Sequence, residues 1–385
     1  MRMKHIALLT GPFDWDLALL PREEFETRLA AIRRVAAGRG VSCLLIHGHS
    51  DEHGALGYVT GFTPKLGPAF ALVPSQGPLR MIVSGGSGML AAAKRLTWVE
   101  DVRPLRDLKT GIGKALADLA APENGPVGLW GAGAMFNRTY HAVLAASRSF
   151  GNPVELDEPL DALRRRKSRR ERELVRRASQ ILSRSMGVLA ESISEGAGAR
   201  TAALAAERAA FESGAQDVRI LASARNGGPP QPFVDPADNR VNPLLVCLAV
   251  RFAGYWAEGL ATLGAGGGAL AHARAALSAA VGAARKGATA GELSLAAASQ
   301  LSPYRPHPLV RHGIGNGIGL SLEESPILGP DSEACLEEDG VYTVRAGAMG
   351  EDNGNDNAVA SAMIVVQATR TEILWPAIEQ PEATG

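Results

Sequence analysis

RHGIGNGIGLSLEESPIL (311–328) is the stretch whose reading decides the fold, and DGVYTVRAG (339–347) follows it closely. Together they carry His312, Asn316, Glu323, Glu324 and Arg345. Upstream, AGYWAEGLAT (253–262) carries Glu258, and LDALRRRKSRRERELVRRAS (160–179) opens this half of the chain. The pattern over 163–193 reads as one long helix with Leu174, Ala178, Ile181, Leu182, Met186 and Leu189 on one face. Its basic cluster, Arg164 to Arg172, has the composition of a nucleic-acid patch. Glu171 and Glu173 beside it favour a solvated helix face instead.

A faint internal repeat lies between these landmarks. EGAGARTAALAAERAAFESGA (195–215) and KGATAGELSLAAASQL (286–301) each read as a Gly-rich break, a Thr, then an Ala/Leu helix. In the second, Thr289 and Glu292 have capping-box spacing. Each follows a longer helical pattern, so two similar halves facing each other across a cleft are expected. The N-terminal half reads differently. Phe25 to Arg39 is an amphipathic helix, with Phe25, Leu29, Ile32 and Val35 at spacings of three and four. VSCLLIHG (41–48) follows as a buried strand, then GYVTGF (57–62). AFALVPSQGPLRMIVSG (69–85) reads as two strands around a Ser-Gln-Gly-Pro turn. Strands alternating with helices give an α/β layer domain ending near Gly151-Asn152-Pro153.

Composition narrows the class of protein. Of 385 residues 46% are apolar, enough for full cores, which excludes overall disorder. Forty Lys plus Arg balance forty Asp plus Glu, leaving no electrostatic footprint for nucleic acid or an anionic membrane. Cys43, Cys247 and Cys335 are too few and too scattered for a disulfide framework or a CxxC metal pattern. The apolar run IALL near the N-terminus is too short and too interrupted for a signal peptide or a membrane span. A reducing cytoplasm is the expected compartment.

The four landmarks, in this order, resemble the creatinase/aminopeptidase P/methionine aminopeptidase family, the pita-bread fold. YVTGF with its flanking strands looks like the smaller creatinase-type N-domain. The resemblance implies a mixed α/β (α+β) chain, with a creatinase-type N-terminal domain over 1–155 and a pita-bread domain over 156–385. It also implies a homodimer acting on a small-molecule substrate. Metallopeptidases of this family hold two metal ions with two Asp, one His and two Glu, because hard divalent ions need anionic oxygen ligands. By motif those positions fall here at Cys247, Glu258, Asn316, Arg345 and, near the closing strand AVASAMIVV, Ser361. Only Glu258 suits a hard cation, and Arg345 puts a fixed positive charge where a metal would sit. The expectation is therefore no metal and no cofactor. Creatinase works without metal, yet its catalytic-type His falls here at Gln231, and its guanidinium-gripping glutamates fall at Leu260 and Ser361. Creatine hydrolysis is not expected.

The remaining polar set supports chemistry of another kind. His312 is placed as general acid or base, with Glu258 or Glu323 as its partner. Arg345 is placed as an anchor for a substrate anion, with Asn316, Cys247, Glu324 and Gln231 as further substrate contacts. Each has a plainer alternative: a hydrogen-bonded His, a salt bridge filling the former metal site, a packed core thiol in LLVCLAV. His47, His49 and His53 near Asp51 form a weak candidate metal cluster or an exposed polar turn. GAMGEDNGNDNAVA (347–360) reads as a loop without EF-hand spacing, and GAGGGA (264–269) lacks the Lys-Ser/Thr of a phosphate loop. The leading expectation is a metal-independent hydrolase acting on a C–N bond of a small amide, amidine or cyclic compound. The alternatives are a non-catalytic binding module and a metal-dependent Xaa-Pro aminopeptidase.

Overall fold

A computed structural model of the chain describes residues 16, 18–120, 124–223, 230–232, 243–264, 267–350 and 356–375. The run IALL, most of NGGPPQPF, residues 265–266 of GAGGGA and residues 351–355 of the Gly/Asn/Asp loop lie outside them. The chain forms two compact units, Met1–Arg164 and Arg165–Gly385.

In the first unit, α1 (Arg22–Gly38) buries Phe25, Leu29, Ile32 and Ala36, the stripe that its spacing dictates. Arg28 is buried with them, because its guanidinium lies over the Tyr58 ring and donates to the Tyr58 carbonyl at 3.1 Å. Strand β1 (Cys43–Gly48) is buried at every residue, as its unbroken apolar run requires. It pairs antiparallel with β2 (Ala69–Pro74) on one side and parallel with β5 (Val127–Trp130) on the other. β3 (Arg80–Ser84), β4 (Asp101–Leu105) and β6 (Val154–Glu155) complete a six-stranded mixed sheet, in the order β4-β3-β2-β1-β5-β6. Within GYVTGF, Gly57 to Thr60 belong to a short helix, α2 (Gly54–Thr60), which Gly61 ends at φ 69°. Helices α3 (Ser87–Arg95), α4 (Leu108–Ala117) and α5 (Asn137–Ser147) supply the connections, and α4 and α5 pack a core of Ile112, Leu116 and Val143 against Leu45, Leu72 and Leu129.

The second unit opens after α6 (Asp157–Arg165). The long helical pattern of 163–193 is broken here, because Ser168 caps a new helix, α7 (Arg169–Ser194). The Ser168 hydroxyl accepts from the Glu171 amide at 3.2 Å, and the Glu171 carboxylate accepts from the Ser168 amide at 2.9 Å. Helix α8 (Ala199–Glu212) follows, then the meander β7 (Asp217–Ser223), β8 (Leu244–Phe252) and β9 (Tyr255–Leu263). The pattern repeats with α9 (Gly268–Ala283) and α10 (Ala290–Ala298), whose Thr289–Glu292 capping box is present as its spacing indicates. After these come β10 (Arg305–Pro306), β11 (Gly315–Gly317), β12 (Glu324–Ile327), β13 (Val341–Met349), β14 (Asn357–Val366) and β15 (Thr371–Trp375). They join one nine-stranded sheet with the path β12-β11-β13-β14-β9-β8-β7. Helices α7 and α8 cover β7–β9, while α9 covers β13 and β14 and α10 packs against α9. Small residues at Ala269, Ala273, Ala276 and Ala280 form the buried stripe of α9 against this sheet.

Part of the basic cluster is spent inside this unit. Lys167 pairs with Glu324 at 2.8 Å and Arg172 with Asp339 at 2.6 Å, and beyond the cluster Arg176 pairs with Glu372 at 2.8 Å. No helix among the described residues is long and apolar enough to cross a membrane.

His47 of the first unit tests the buried sheet. It lies beside Phe70 and His49, and burial, with the neighbouring His49, pushes it down from 6.5 to about 4. The unfolded chain therefore binds a proton that the native state refuses between these values. Stability is complete above pH 6.5 and falls as pH drops toward 4, by on the order of 3 kcal/mol. Urea midpoints measured across this range should slope downward on acidification, and His47→Phe should flatten that part of the slope.

Candidate functional site

The site grows from a seam in the nine-stranded sheet. Strands β9 and β14 share a single backbone pairing, Ala261 with Ala360. Side chains close the rest. The Ser361 hydroxyl accepts from the Leu260 amide at 2.7 Å and donates to the Leu260 carbonyl at 3.2 Å. The Thr262 hydroxyl accepts from the Val359 amide at 2.8 Å and donates to the Val359 carbonyl at 3.2 Å. The Glu258 amide faces the Met363 sulfur at 3.2 Å. Backbone groups that a regular ladder would satisfy are thus satisfied by side chains.

Across this seam lies an ion pair. Arg345 on β13 stands opposite Ser361 on β14, and Glu258 stands on β9. One Arg345 nitrogen, Nη2, donates to both Glu258 oxygens at 2.9 Å. The side chains are 20% and 11% exposed, so the pair is screened from bulk water but not sealed. Its remaining donors, Nε and Nη1, make no hydrogen bond among the described residues. Cys247 lies diagonally across the β8–β9 pair, with its Sγ 4.0 Å from Glu258 Oε1. Burial, then the Glu258 carboxylate, push this thiol up to about 12. At neutral pH it is an SH group and a poor nucleophile. Leu245, Leu260 and Val359, with Leu309, pack as a small apolar cluster beside it.

The other expected site residues are placed as follows. Asn316 on β11 is buried, and its amide nitrogen donates to the Gly317 carbonyl at 2.7 Å and the Leu322 carbonyl at 3.0 Å. Its donors hold the 317–322 turn. Glu324 is buried against Lys167 and accepts from the Ser321 amide at 3.1 Å. Glu323 and His312 are exposed. Gln231 is exposed, and its backbone exchanges hydrogen bonds of 2.8 and 2.9 Å with Ala222 at the edge of β7. The structure therefore brings Cys247, Glu258, Arg345 and Ser361 together and ties Asn316 and Glu324 into its own framework. Of the N-terminal histidines, His49 accepts from the Asp51 amide at 3.2 Å, and its other nitrogen faces the Ala134 carbonyl at 3.1 Å, so both ring nitrogens are engaged.

Sequence reasoning missed Lys167 as the partner of Glu324, and Thr262 and Met363 as seam residues. It also missed His307, which is fully buried beside β13. The His307 ring accepts from the Leu309 amide at 3.2 Å, and burial lowers its pKa. A Cβ at Gly347 would lie 2.6 Å from that of His307, which is why glycine stands there. The signal was local, a His between two prolines ahead of a Gly-containing strand.

This arrangement, two layered helix pairs around a curved sheet with a polar centre, is the pita-bread class of fold. A profile of metallopeptidase family M24 matches residues 173–368, and the chain belongs to that family. Among solved structures it is similar to a prolidase from Pyrococcus horikoshii OT3, at 18% identity and a TM-score of 0.77, covering 92% of this chain and 99% of that one. It is similar also to an X-Pro aminopeptidase from Thermotoga maritima MSB8, at 20% identity and a TM-score of 0.73 over 92% and 98%. The N-terminal domain of FACT complex subunit SPT16 from Cicer arietinum shares the fold at 16% identity and a TM-score of 0.66, over 91% and 96%. A search of curated proteins finds no match.

The family implies metal ions, and the donor set here does not fit them. A divalent ion at the seam would face the Arg345 guanidinium, already bonded to Glu258, the seam carboxylate among the described residues. The Ser361 hydroxyl and the Asn316 amide nitrogen are committed to backbone groups. Among the described residues no group of three or more His, Cys, Asp or Glu side chains is arranged to hold a metal.

Two outcomes follow from this geometry. Arg345→Met leaves the Glu258 carboxylate without its partner and should cost about 2–3 kcal/mol in urea unfolding, whereas Arg345→Met with Glu258→Met together should recover most of that loss. Iodoacetamide at pH 8 should label the exposed Cys335 and spare Cys247 and Cys43, both raised to about 12, as peptide mass mapping would read.

Proposed function

We propose that this chain is a metal-independent hydrolase of its family, acting on a C–N bond of a small polar amide, amidine or cyclic substrate. The observation that carries the reading is the Arg345–Glu258 pair at the seam, a cation held in the position where metallopeptidase relatives by motif have a metal-binding carboxylate. Arg345 has two donor groups without a hydrogen bond among the described residues, and a guanidinium in a partly dry site binds an anionic substrate group or the oxyanion of a tetrahedral intermediate. Water adds to the carbonyl or amidine carbon as Glu258 takes its proton. The C–N bond then breaks, and the nitrogen leaves with a proton that His312, on its exposed turn, supplies. Cys247 takes no part as a nucleophile, because its thiol is pushed up to about 12. We place the protein in the cytoplasm as a homodimer on the same footing.

A second reading, a non-catalytic binding module, is favoured by one observation. Asn316 and Glu324 are consumed by internal bonds, and His312 and Glu323 are exposed.

A calorimetric and thermal-shift screen separates these readings. The probes are small amides, guanidino acids, lactams and Xaa-Pro dipeptides, each with and without Mn²⁺, Co²⁺ or Zn²⁺. A ligand at a hundredfold excess over its Kd adds about 2.7 kcal/mol of stability. Stabilisation by an organic compound, with turnover lost on the order of a hundredfold in both His312→Ala and Arg345→Met, is the expected result. Full activity in both variants would sink the residue assignments. Binding without turnover would favour the module, and Mn²⁺-dependent release of Ala from an Ala-Pro peptide would overturn metal independence.

A further inference from the structure

Strand pairing fixes which side chains share the face of β7–β9 that carries Glu258. Arg219 on β7 stands opposite Ala249 on β8, and Ala249 stands opposite Glu258 on β9. Residues opposite one another point to the same face, so Arg219 and Glu258 lie in one row with the Ala249 methyl between them. Two strand spacings separate their Cα atoms by about 10 Å. A second row, Asp217, Arg251 and Trp256, runs beside it. This face points away from helix α7. Tyr255, which precedes Trp256 and takes the opposite face, donates its hydroxyl to Glu171 of that helix at 3.0 Å.

Arg219 is oriented yet keeps its donors. Its guanidinium carbon lies 4.8 Å from the centre of the Trp256 ring, and Trp256 is 3% exposed. Stacking on a buried indole fixes the guanidinium plane while its edge still points donors outward. Asp217 lies 3.8 Å from Arg219 Nη2, beyond hydrogen-bond length, and the Arg219 side chain makes no hydrogen bond among the described residues. Arg251 lies over the same ring at 5.0 Å, with Asp217 at 3.5 Å. Burial lowers the Arg251 guanidinium to about 10; Asp217 raises it and Arg219 lowers it, so the two cations repel each other. An anion on Arg219 relieves that repulsion. At the far end of the first row, Arg345 holds Glu258 through Nη2, and its other two donor groups make no hydrogen bond among the described residues. A molecule seated on the Arg345–Glu258 pair therefore meets a second, oriented cation one row away. Resting on the hydrolase reading above, we infer that Arg219 determines specificity by holding an acidic group on the substrate, remote from the scissile C–N bond. The substrate class is then an amide or amidine with an anionic tail long enough to cross the Ala249 row. Selection comes from both points together, since the reacting group engages Arg345 while the tail engages Arg219.

The test is isothermal titration of the full chain with adipamate, an amide and a carboxylate on one four-methylene chain, beside hexanamide and 6-aminohexanamide. Saturable binding of adipamate with a Kd of roughly 1 mM or below is expected, about tenfold or more tighter than hexanamide, with 6-aminohexanamide weaker still. Arg219→Leu, at an exposed position, should bring adipamate down to the affinity of hexanamide, with its fold checked by circular dichroism. Arg219→Lys, which keeps the charge and loses the planar stack, should fall between the two. Equal affinity for adipamate and hexanamide overturns the assignment, as does wild-type discrimination in Arg219→Leu or the absence of saturable adipamate binding. The hydrolase reading fails by a different result. Arg219-dependent discrimination with no ammonia released from any of these amides, and with adipamate affinity unchanged in Arg345→Met, would remove that reading and leave the acidic-tail site standing.

Discussion

Strands β9 and β14 meet with a single backbone pairing, and the chain must satisfy the exposed amides and carbonyls along that line by other means. Ser361 and Thr262 do so with hydroxyls that both accept and donate, and Arg345 reaches Glu258 across the same line. The rest of the unit depends on this junction. It joins the β7–β9 meander with its helices α7 and α8 to the β13–β14 pair with α9 and α10. A salt bridge in such a place is weak evidence of net stabilisation, because desolvating both charges offsets much of their attraction. Its contribution is directional. Removing either partner leaves a charge facing a largely dry seam.

The same junction bears on the chemistry that the family name describes. Metal sites need anionic donors with free lone pairs, second-shell support and no competing cation. Here the Glu258 carboxylate is bonded to a guanidinium, and the hydroxyl opposite Arg345 is bonded to backbone. The polar residues were exchanged for others instead of being replaced by a uniformly apolar plug, although Leu245, Leu260 and Val359 fill part of the space beside Cys247. Two Arg345 donors make no hydrogen bond among the described residues, and the proposed anion-binding role rests on them.

Legibility of the sequence varied with the range of the interaction involved. The α1 stripe of Phe25, Leu29 and Ile32, the buried run of β1 and the Thr289–Glu292 capping box are local, and spacing alone revealed them. The break at Ser168 was hidden inside a helical periodicity that continues on both sides of it, although Ser168 and Glu171 have capping spacing. The landmarks order Cys247, Glu258, Arg345 and Ser361 along the chain, and these four lie close together across β8, β9, β13 and β14. Side-chain partners were not legible. Lys167 and Glu324 lie far apart in the chain, and no periodicity connects them.

What the sequence determined by itself is the local pattern: which helix and strand faces are apolar, where Thr289 and Glu292 cap a helix, and that the charges balance. Those features depend on neighbours three or four residues away or on residue identity alone. Only the tertiary structure decided that Glu258 belongs to Arg345 instead of Glu323, that Asn316 holds a turn, and that Glu324 is neutralised by Lys167. The reason is physical. The state and role of a polar group depend on which atoms lie within a few ångströms once water is excluded, and that neighbourhood is assembled from strands distant in sequence.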